Sequence, residues 1–220
     1  MFTTILFDMD GTVSDSLPGV SRGMIYALEQ LGYPVPGADV LRECMGPPLE
    51  DSFSRLLGVS AADVPEAVRL YREYYPRQGI FEQSPMEGAE KTLKALKSLG
   101  KTVCLATSKP QVYSEMILKN FKLEKYFDVV VGSSFDGKIS EKKDIIALVL
   151  EKTGASPENC LMVGDRHFDV FGAHACGVKC AGVLCGYGSR EDFLECGADF
   201  IVNGLLDIVK IVRDQESVFA

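Results

Sequence analysis

The sequence predicts an α/β protein built on a parallel, doubly wound (Rossmann-like) sheet, with a small α-helical domain inserted into it. Short, nearly all-apolar segments alternate with helical stretches in the second half of the chain, as expected for a parallel sheet covered on both faces. A similar segment, TTILF (3–7), stands alone near the start, before a long stretch with no strand pattern. We therefore predict a core domain of residues 1–15 and 84–220 and a helical domain of residues 16–83.

The strands of the core are predicted from composition and length. After TTILF, five further segments are short and apolar: 102–107, 127–131, 160–164, 178–183 and 199–202. A helical stretch follows each of them. Pro110 suits the first turn of one such helix, and Gly154 stands where another would end.

The inserted segment has a helical period. The apolar residues Leu17, Val20, Met24, Leu28 and Leu31 recur at helical spacing, and Gly32 follows them. Further helical stretches are expected around 37–45, 50–57 and 61–75. The hinges are expected near Asp15–Ser16 and Gln83–Pro85.

Composition limits the classes of partner and location. With 46% hydrophobic and 25% charged residues, the chain has the composition of a globular domain. Its net charge of −8 argues against a nucleic acid polymer or a membrane surface as partner, but allows a small anionic ligand at a locally positive site. The first residues lack signal-peptide features, and the seven scattered cysteines match no metal motif. We expect a cytoplasmic protein with reduced thiols, as a monomer or weak homodimer.

The carboxyl ends of the predicted strands carry the residues with chemistry. Ligands of parallel α/β sheets bind outside these ends. The side chains delivered there are Asp8, Asp10, Thr107, Ser108, Asp165 and Asp169. Two carboxylates about 4 Å apart repel by roughly 4 kcal/mol near a protein surface, so a cation is expected among them. Oxygen ligands favour Mg²⁺, which commonly also binds a substrate phosphate.

Two other interpretations of DMDGT fit less well. A calcium loop that starts at Asp8 would need acidic or amide side chains, Gly and Glu where this chain has Thr12, Val13 and Gly19. An ordinary strand end would explain one aspartate but not the second acidic pair. The metal-and-phosphate interpretation therefore remains.

The same residues resemble a known family. Asp8-Met-Asp-Gly-Thr12, Thr107-Ser108, a lysine at a helix start, and Gly164-Asp165-Arg-His-Phe-Asp169 are similar to the four ordered motifs of the haloacid dehalogenase superfamily. The helical insertion resembles the small helical cap domain of that superfamily. The segments MGPPLEDSF, ATSKP and GDRHFDV resemble its phosphoglycolate phosphatase-like branch.

The resemblance implies a Mg²⁺-dependent phosphatase for small phosphomonoesters such as phosphoglycolate, nucleotides or sugar phosphates. Asp8 would be the nucleophile that forms an aspartyl-phosphate, and Asp10 the general acid and base. The metal would be held by Asp8, the backbone carbonyl of Asp10, and Asp165, with help from Asp169. A small phosphorylated metabolite would be the partner.

The resemblance also implies residues that hold the phosphoryl group. Thr107 would hydrogen-bond a phosphoryl oxygen, and Ser108, Gly11 and Thr12 are assigned to the same phosphate site. A lysine would neutralise charge on the nucleophile. Among Lys138, Lys142 and Lys143, Lys142 is favoured because it precedes Lys-Asp-Ile-Ile, and Lys143 is the alternative.

Two other functions remain open. A phosphomutase similar to β-phosphoglucomutase would share the aspartyl-phosphate but return the phosphoryl group to a sugar. A non-catalytic regulator would bind a phosphorylated ligand without turnover. A dehalogenase is disfavoured because such enzymes lack an aspartate at the position of Asp10.

Overall fold

The computed structural model describes residues 1–135 and 138–217. The strands are β1 (Thr4–Phe7), β2 (Ser14–Asp15), β3 (Ser84–Pro85), β4 (Thr102–Pro110), β5 (Val129–Ser133), β6 (Cys160–Gly164), β7 (Lys179–Val183) and β8 (Phe200–Val202). The helices are α1 (Leu17–Leu31), α2 (Ala38–Glu43), α3 (Leu49–Asp51), α4 (Val64–Tyr74), α5 (Ala89–Ser98), α6 (Gln111–Phe121), α7 (Lys142–Thr153), α8 (His167–Ala175), α9 (Arg190–Glu195) and α10 (Leu206–Ser217).

Six strands form one parallel sheet in the order β5-β4-β1-β6-β7-β8. The order reverses at β1, the position where ligands of doubly wound sheets bind. Phe7, the last residue of β1, lies opposite Leu105 of β4 and Val163 of β6. The residues that follow Phe7, Leu105 and Val163 therefore lie side by side at one edge of the sheet. The α/β fold class predicted from the sequence is confirmed.

The core lies between the sheet and its flanking helices. Leu6, Cys104 and Met162 contribute to it from three adjacent strands, and all are fully buried. Ile146 and Val149 of α7 pack into the same cluster. Because a buried strand presents apolar residues on both faces, these strands have near-continuous apolar sequences.

The chain divides into two compact units. The larger unit contains Met1–Ser14 and the chain from Pro85 onward, and Asp15–Ser84 forms the smaller unit. The chain passes between them through the two-residue strands β2 and β3, which pair with each other.

The smaller unit is helical. Helices α1 and α4 pack closely there because Gly23 has no side chain: a Cβ atom at Gly23 would lie 2.9 Å from the ring of Tyr71. The helix predicted at 50–57 is instead α3 followed by a π-helical turn, Ser52–Leu56. None of the helices in the described part of the chain has the length and apolarity needed to cross a lipid bilayer.

The strand predicted at 102–107 is longer in the structure, where β4 continues to Pro110. Its pairing with β5 shifts at this point: Thr107 lies opposite Gly132, whereas Pro110 lies opposite Ser133. Ser108 and Lys109 therefore form a bulge. Bulges redirect side chains and are common beside active sites, and composition alone gave no sign of this one.

Candidate active site

Asp8 leaves the sheet at the point where β1 ends. Its backbone N–H donates to the carbonyl of Val163 at 2.9 Å, so the β1–β6 ladder continues to this residue and fixes its backbone. The side chain is 12% exposed. A carboxylate is thus held at the carboxyl edge of the sheet, largely removed from water.

Lys142 reaches this carboxylate from the start of α7. It shares one helix face with Ile145, Ile146 and Val149, whose burial carries Lys142 toward the sheet edge. Its Nζ donates to Oδ1 of Asp8 at 2.7 Å and to the carbonyl of Ala106 at 3.0 Å. Lys142 is therefore the lysine that the structure places beside the predicted nucleophile.

Asp169 shares the same ammonium group, with its Oδ1 2.8 Å from Nζ of Lys142. Burial lowers the pKa of Lys142, but Asp169 and Asp8 more than offset burial, so the pKa is raised and the ammonium stays charged. Asp169 is itself oriented by the start of α8, because its Oδ2 accepts a hydrogen bond from the N–H of Arg166 at 3.1 Å. This is the capping arrangement of a helix N-terminus.

Asp165 is fully buried and held from two sides. Its Oδ2 accepts a hydrogen bond from the N–H of Tyr187 at 2.8 Å, and the hydroxyl of Thr12 donates to Oδ1 at 3.3 Å. Burial raises the pKa of Asp165 well above its ordinary value, and the neighbouring Asp169 and Asp8 raise it further. The negative form of this carboxyl group is therefore costly without a cation.

Glycines make room for these carboxylates. A Cβ atom at Gly164 would lie 2.1 Å from Cγ of Asp169, and one at Gly11 would lie 2.1 Å from Oδ2 of Asp165. Gly11 also has a φ of +78°, which residues with side chains rarely adopt. The close approach of backbone to carboxylate thus requires glycine at both positions.

Burial also raises the pKa of Asp8, to about 6. Lys142 acts against burial, whereas Asp169 and Asp10 raise the pKa further. Near neutral pH Asp8 is predominantly ionised, as a nucleophile or a metal ligand must be.

The three carboxylates fit a metal ion. Asp8, Asp165 and Asp169 each offer an oxygen, and these oxygens lie within 4.8 Å of one another. With Lys142 as their cationic partner, the group carries a surplus of negative charge. Oδ1 of Asp169 is buried and, although close to Nζ of Lys142, has no aligned hydrogen-bond donor among the described residues. An all-oxygen set with surplus charge suits Mg²⁺.

Asp10 is not one of these three residues. Its carboxylate forms an ion pair with Lys109, whose Nζ lies 2.8 Å from Oδ1 and 3.0 Å from Oδ2. Lys109 is not among the site residues predicted from the sequence. The structure buries Lys109 beside Thr107 through the irregular end of β4, and no periodic pattern of the sequence marks this position.

The remaining predicted residues fall in different environments. Thr107 is buried, and its hydroxyl oxygen accepts a hydrogen bond from the N–H of Lys109 at 3.2 Å. Ser108 is exposed. Lys143 is exposed and pairs with Glu141 at 2.8 Å, away from Asp8.

The chain is similar to proteins with phosphoryl chemistry in their names. A 5′-nucleotidase of Pseudomonas aeruginosa is 38% identical over 191 residues, which cover 87% of this chain and 86% of that protein. Phosphoglycolate phosphatase 1 of the same organism is 31% identical, over 93% of this chain and 78% of that protein. The tyrosine-protein kinase PtkA of Mycobacterium tuberculosis is 37% identical over 87% of this chain, which spans only 65% of that kinase.

Solved structures have the same fold. The crystal structure of a predicted phosphatase from Clostridium acetobutylicum superposes with a TM-score of 0.90 at 37% identity, covering 97% of this chain and 99% of that one. Residues 5–183 match the sequence model of the haloacid dehalogenase-like hydrolases. The resemblance stated from the four motifs is thereby confirmed, and the chain belongs to the haloacid dehalogenase-like hydrolase family.

Proposed function

We propose that the protein is a Mg²⁺-dependent phosphatase that hydrolyses small phosphomonoesters through an aspartyl-phosphate on Asp8. The observation that carries this proposal is the shared position of Lys142, 2.7 Å from Asp8 and 2.8 Å from Asp169, within a buried carboxylate cluster. Such a group holds an ionised nucleophile where a phosphoryl group can approach it. The names of the relatives support the same class of reaction.

In the first step, an oxygen of Asp8 attacks phosphorus and the bond to the leaving oxygen breaks. Asp10 gives its proton to that oxygen. In the second step, water attacks the phosphorus of the aspartyl-phosphate and Asp10 takes a proton from the water. The bond between the Asp8 oxygen and phosphorus breaks, which regenerates the Asp8 carboxylate and releases inorganic phosphate. Lys142 offsets charge on Asp8 and on the transferring group.

The phosphate site is proposed to include the Thr107 hydroxyl, the exposed Ser108 and the backbone of Gly11. For Thr12 the geometry supports a different role from the one predicted. Its hydroxyl is fully buried and donates to Asp165, so we assign it to the orientation of that carboxylate.

Mg²⁺ would be held by Asp8, Asp165 and Asp169, with the backbone carbonyl of Asp10 as the further ligand implied by the family resemblance. When bound, the ion would neutralise the carboxylates and stabilise negative charge on the phosphoryl oxygens. We propose a small phosphorylated metabolite as substrate. We propose a reducing, cytoplasmic location, in which the seven cysteines of the sequence remain thiols.

The test measures phosphate release from phosphoglycolate, nucleoside monophosphates, hexose phosphates, pyrophosphate and an aryl phosphate, with and without Mg²⁺. Asp8→Asn is expected to lower kcat by at least about a thousandfold, because the nucleophile is lost. Asp144→Asn, the same change at an exposed position of α7, is the matched control and retains activity.

A second measurement tests the intermediate. If methanol is added as a competing acceptor, every substrate that passes through the same aspartyl-phosphate gives the same ratio of methyl phosphate to inorganic phosphate. Ratios that change with the substrate would contradict a common intermediate. Isomerised sugar phosphate without phosphate release would indicate a mutase, binding without turnover a regulator, and transfer to a protein tyrosine a kinase.

A further inference from the structure

Lys109 has no part in the mechanism proposed above, although it forms an ion pair with Asp10, the proposed general acid and base. Nζ of Lys109 contacts both oxygens of the Asp10 carboxylate, at 2.8 and 3.0 Å. The lysine side chain is 5% exposed, whereas that of Asp10 is 27% exposed. A largely buried, fixed cation thus holds a more exposed carboxylate.

The backbone around Lys109 is fixed as well. The β4–β5 register shift places Ser108 and Lys109 in a bulge, and the N–H of Lys109 donates to the Thr107 hydroxyl at 3.2 Å. On the neighbouring strand, a Cβ atom at Gly132 would lie 2.7 Å from the carbonyl oxygen of Lys109. The bulge therefore packs directly against β5, which turns the lysine side chain toward Asp10.

We propose that Lys109 is a positioning residue that holds the Asp10 carboxylate in the orientation from which it exchanges protons with the leaving oxygen and then with water. The proposal rests on the proposed function, in which Asp10 is the general acid and base. Without the ion pair to Lys109, the partly exposed side chain of Asp10 would rotate more freely about its χ angles. Small misplacements of a reacting group can cost about a hundredfold in rate.

The test uses leaving groups that differ in their need for a proton. Dinitrophenyl phosphate releases a stable anion without protonation, whereas phenyl phosphate and an alkyl phosphate need the general acid. We would measure kcat/KM at saturating Mg²⁺ for the wild type, Asp10→Asn, Lys109→Met and the double variant. Lys109→Arg tests rescue by another cation, and the exposed Lys143→Met is the matched control.

Lys109→Met is expected to lower kcat/KM for the alkyl ester by about 10- to 100-fold and for dinitrophenyl phosphate by less than about threefold. The double variant should be no worse than Asp10→Asn alone, because both changes remove the same group from the reaction. Lys109→Arg should restore part of the loss, and Lys143→Met should have no effect.

An equal loss for every leaving group, a double variant whose losses multiply, or a faster enzyme would overturn the role of Lys109. If Lys109→Met does not fold, Lys109→Gln and Lys109→Arg carry the comparison. If Asp10→Asn itself shows no dependence on the leaving group, the assignment of Asp10 as general acid fails. The two failures are therefore distinguishable.

Discussion

Replacing Asp165 by Asn is expected to stabilise the metal-free protein and at the same time abolish most of its stabilisation by Mg²⁺. Asp165 is fully buried, and burial together with Asp169 and Asp8 raises its pKa. Asn has nearly the same shape, and its side-chain oxygen can still accept the hydrogen bond from the N–H of Tyr187. The substitution thus removes one charge with little change in packing.

The magnitude follows from the separation of the charges. The ligand oxygens of Asp8, Asp165 and Asp169 lie within 4.8 Å of one another. At an effective dielectric constant of about 20, two unit charges at that separation repel by about 3.5 kcal/mol. Partial protonation reduces this cost, so we expect a gain in stability of about 1–3 kcal/mol in the metal-free protein, below the full repulsion of the two charges. Each kcal/mol shifts Tm by about 2–4 °C for a chain of this size.

The raised pKa of Asp165 determines how this residue changes the free energy of unfolding with pH. Because the pKa of Asp165 is higher in the folded than in the unfolded protein, ionisation of this group lowers the free energy of unfolding as pH rises above the unfolded value. The advantage of Asp165→Asn over the wild type should therefore be present near neutral pH and vanish in acid.

The assay is denaturant unfolding of wild type and Asp165→Asn, each in EDTA and in Mg²⁺. At a hundredfold excess over Kd, a ligand that binds only the folded state adds about 2.7 kcal/mol. We expect most of this increment in the wild type and little of it in the variant. Asp144→Asn should change neither the free energy of unfolding in EDTA nor the added stabilisation by Mg²⁺ by more than about 1 kcal/mol. A variant that is less stable in EDTA, or that keeps the full Mg²⁺ increment, would refute the reasoning.

Three further predictions concern the same cluster. Lys142→Met should lower the free energy of unfolding by about 3–5 kcal/mol, because it leaves Asp8 and Asp169 without their buried cation. Thermal unfolding in EDTA measures this loss, and an effect as small as that of Lys143→Met would contradict the prediction. Gly164→Ala should weaken Mg²⁺ binding by at least about tenfold, since its Cβ atom would displace the Asp169 carboxylate. Calorimetric titration tests this, with Gly204→Ala as the control because a Cβ atom there meets nothing within 4 Å. The affinity for Mg²⁺ should fall as pH drops through about 6, where Asp8 gains a proton that the metal must displace. A Kd for Mg²⁺ that does not change between neutral and acid pH would show that Asp8 is not a ligand.

The sequence predicted the sheet and the meeting of its aspartates because both depend on local patterns. Apolar runs of strand length alternating with helices imply parallel strands, and parallel strands bring their carboxyl ends to one edge. Asp8, Asp165 and Asp169 therefore meet, although up to 161 positions separate them along the chain. Helical spacing likewise sets Lys142 on the buried face of α7, as the motif suggested.

The tertiary structure alone decided which partner each of these groups has. The bulge in β4 that turns Lys109 to Asp10 depends on the fit between two strands, and the hydrogen bond from Thr12 to Asp165 joins loops from opposite parts of the sequence. Neither contact follows from a periodic pattern, since both depend on where neighbouring backbones leave room. Local physical chemistry thus determined which residues reach the site, and packing determined how they are paired there.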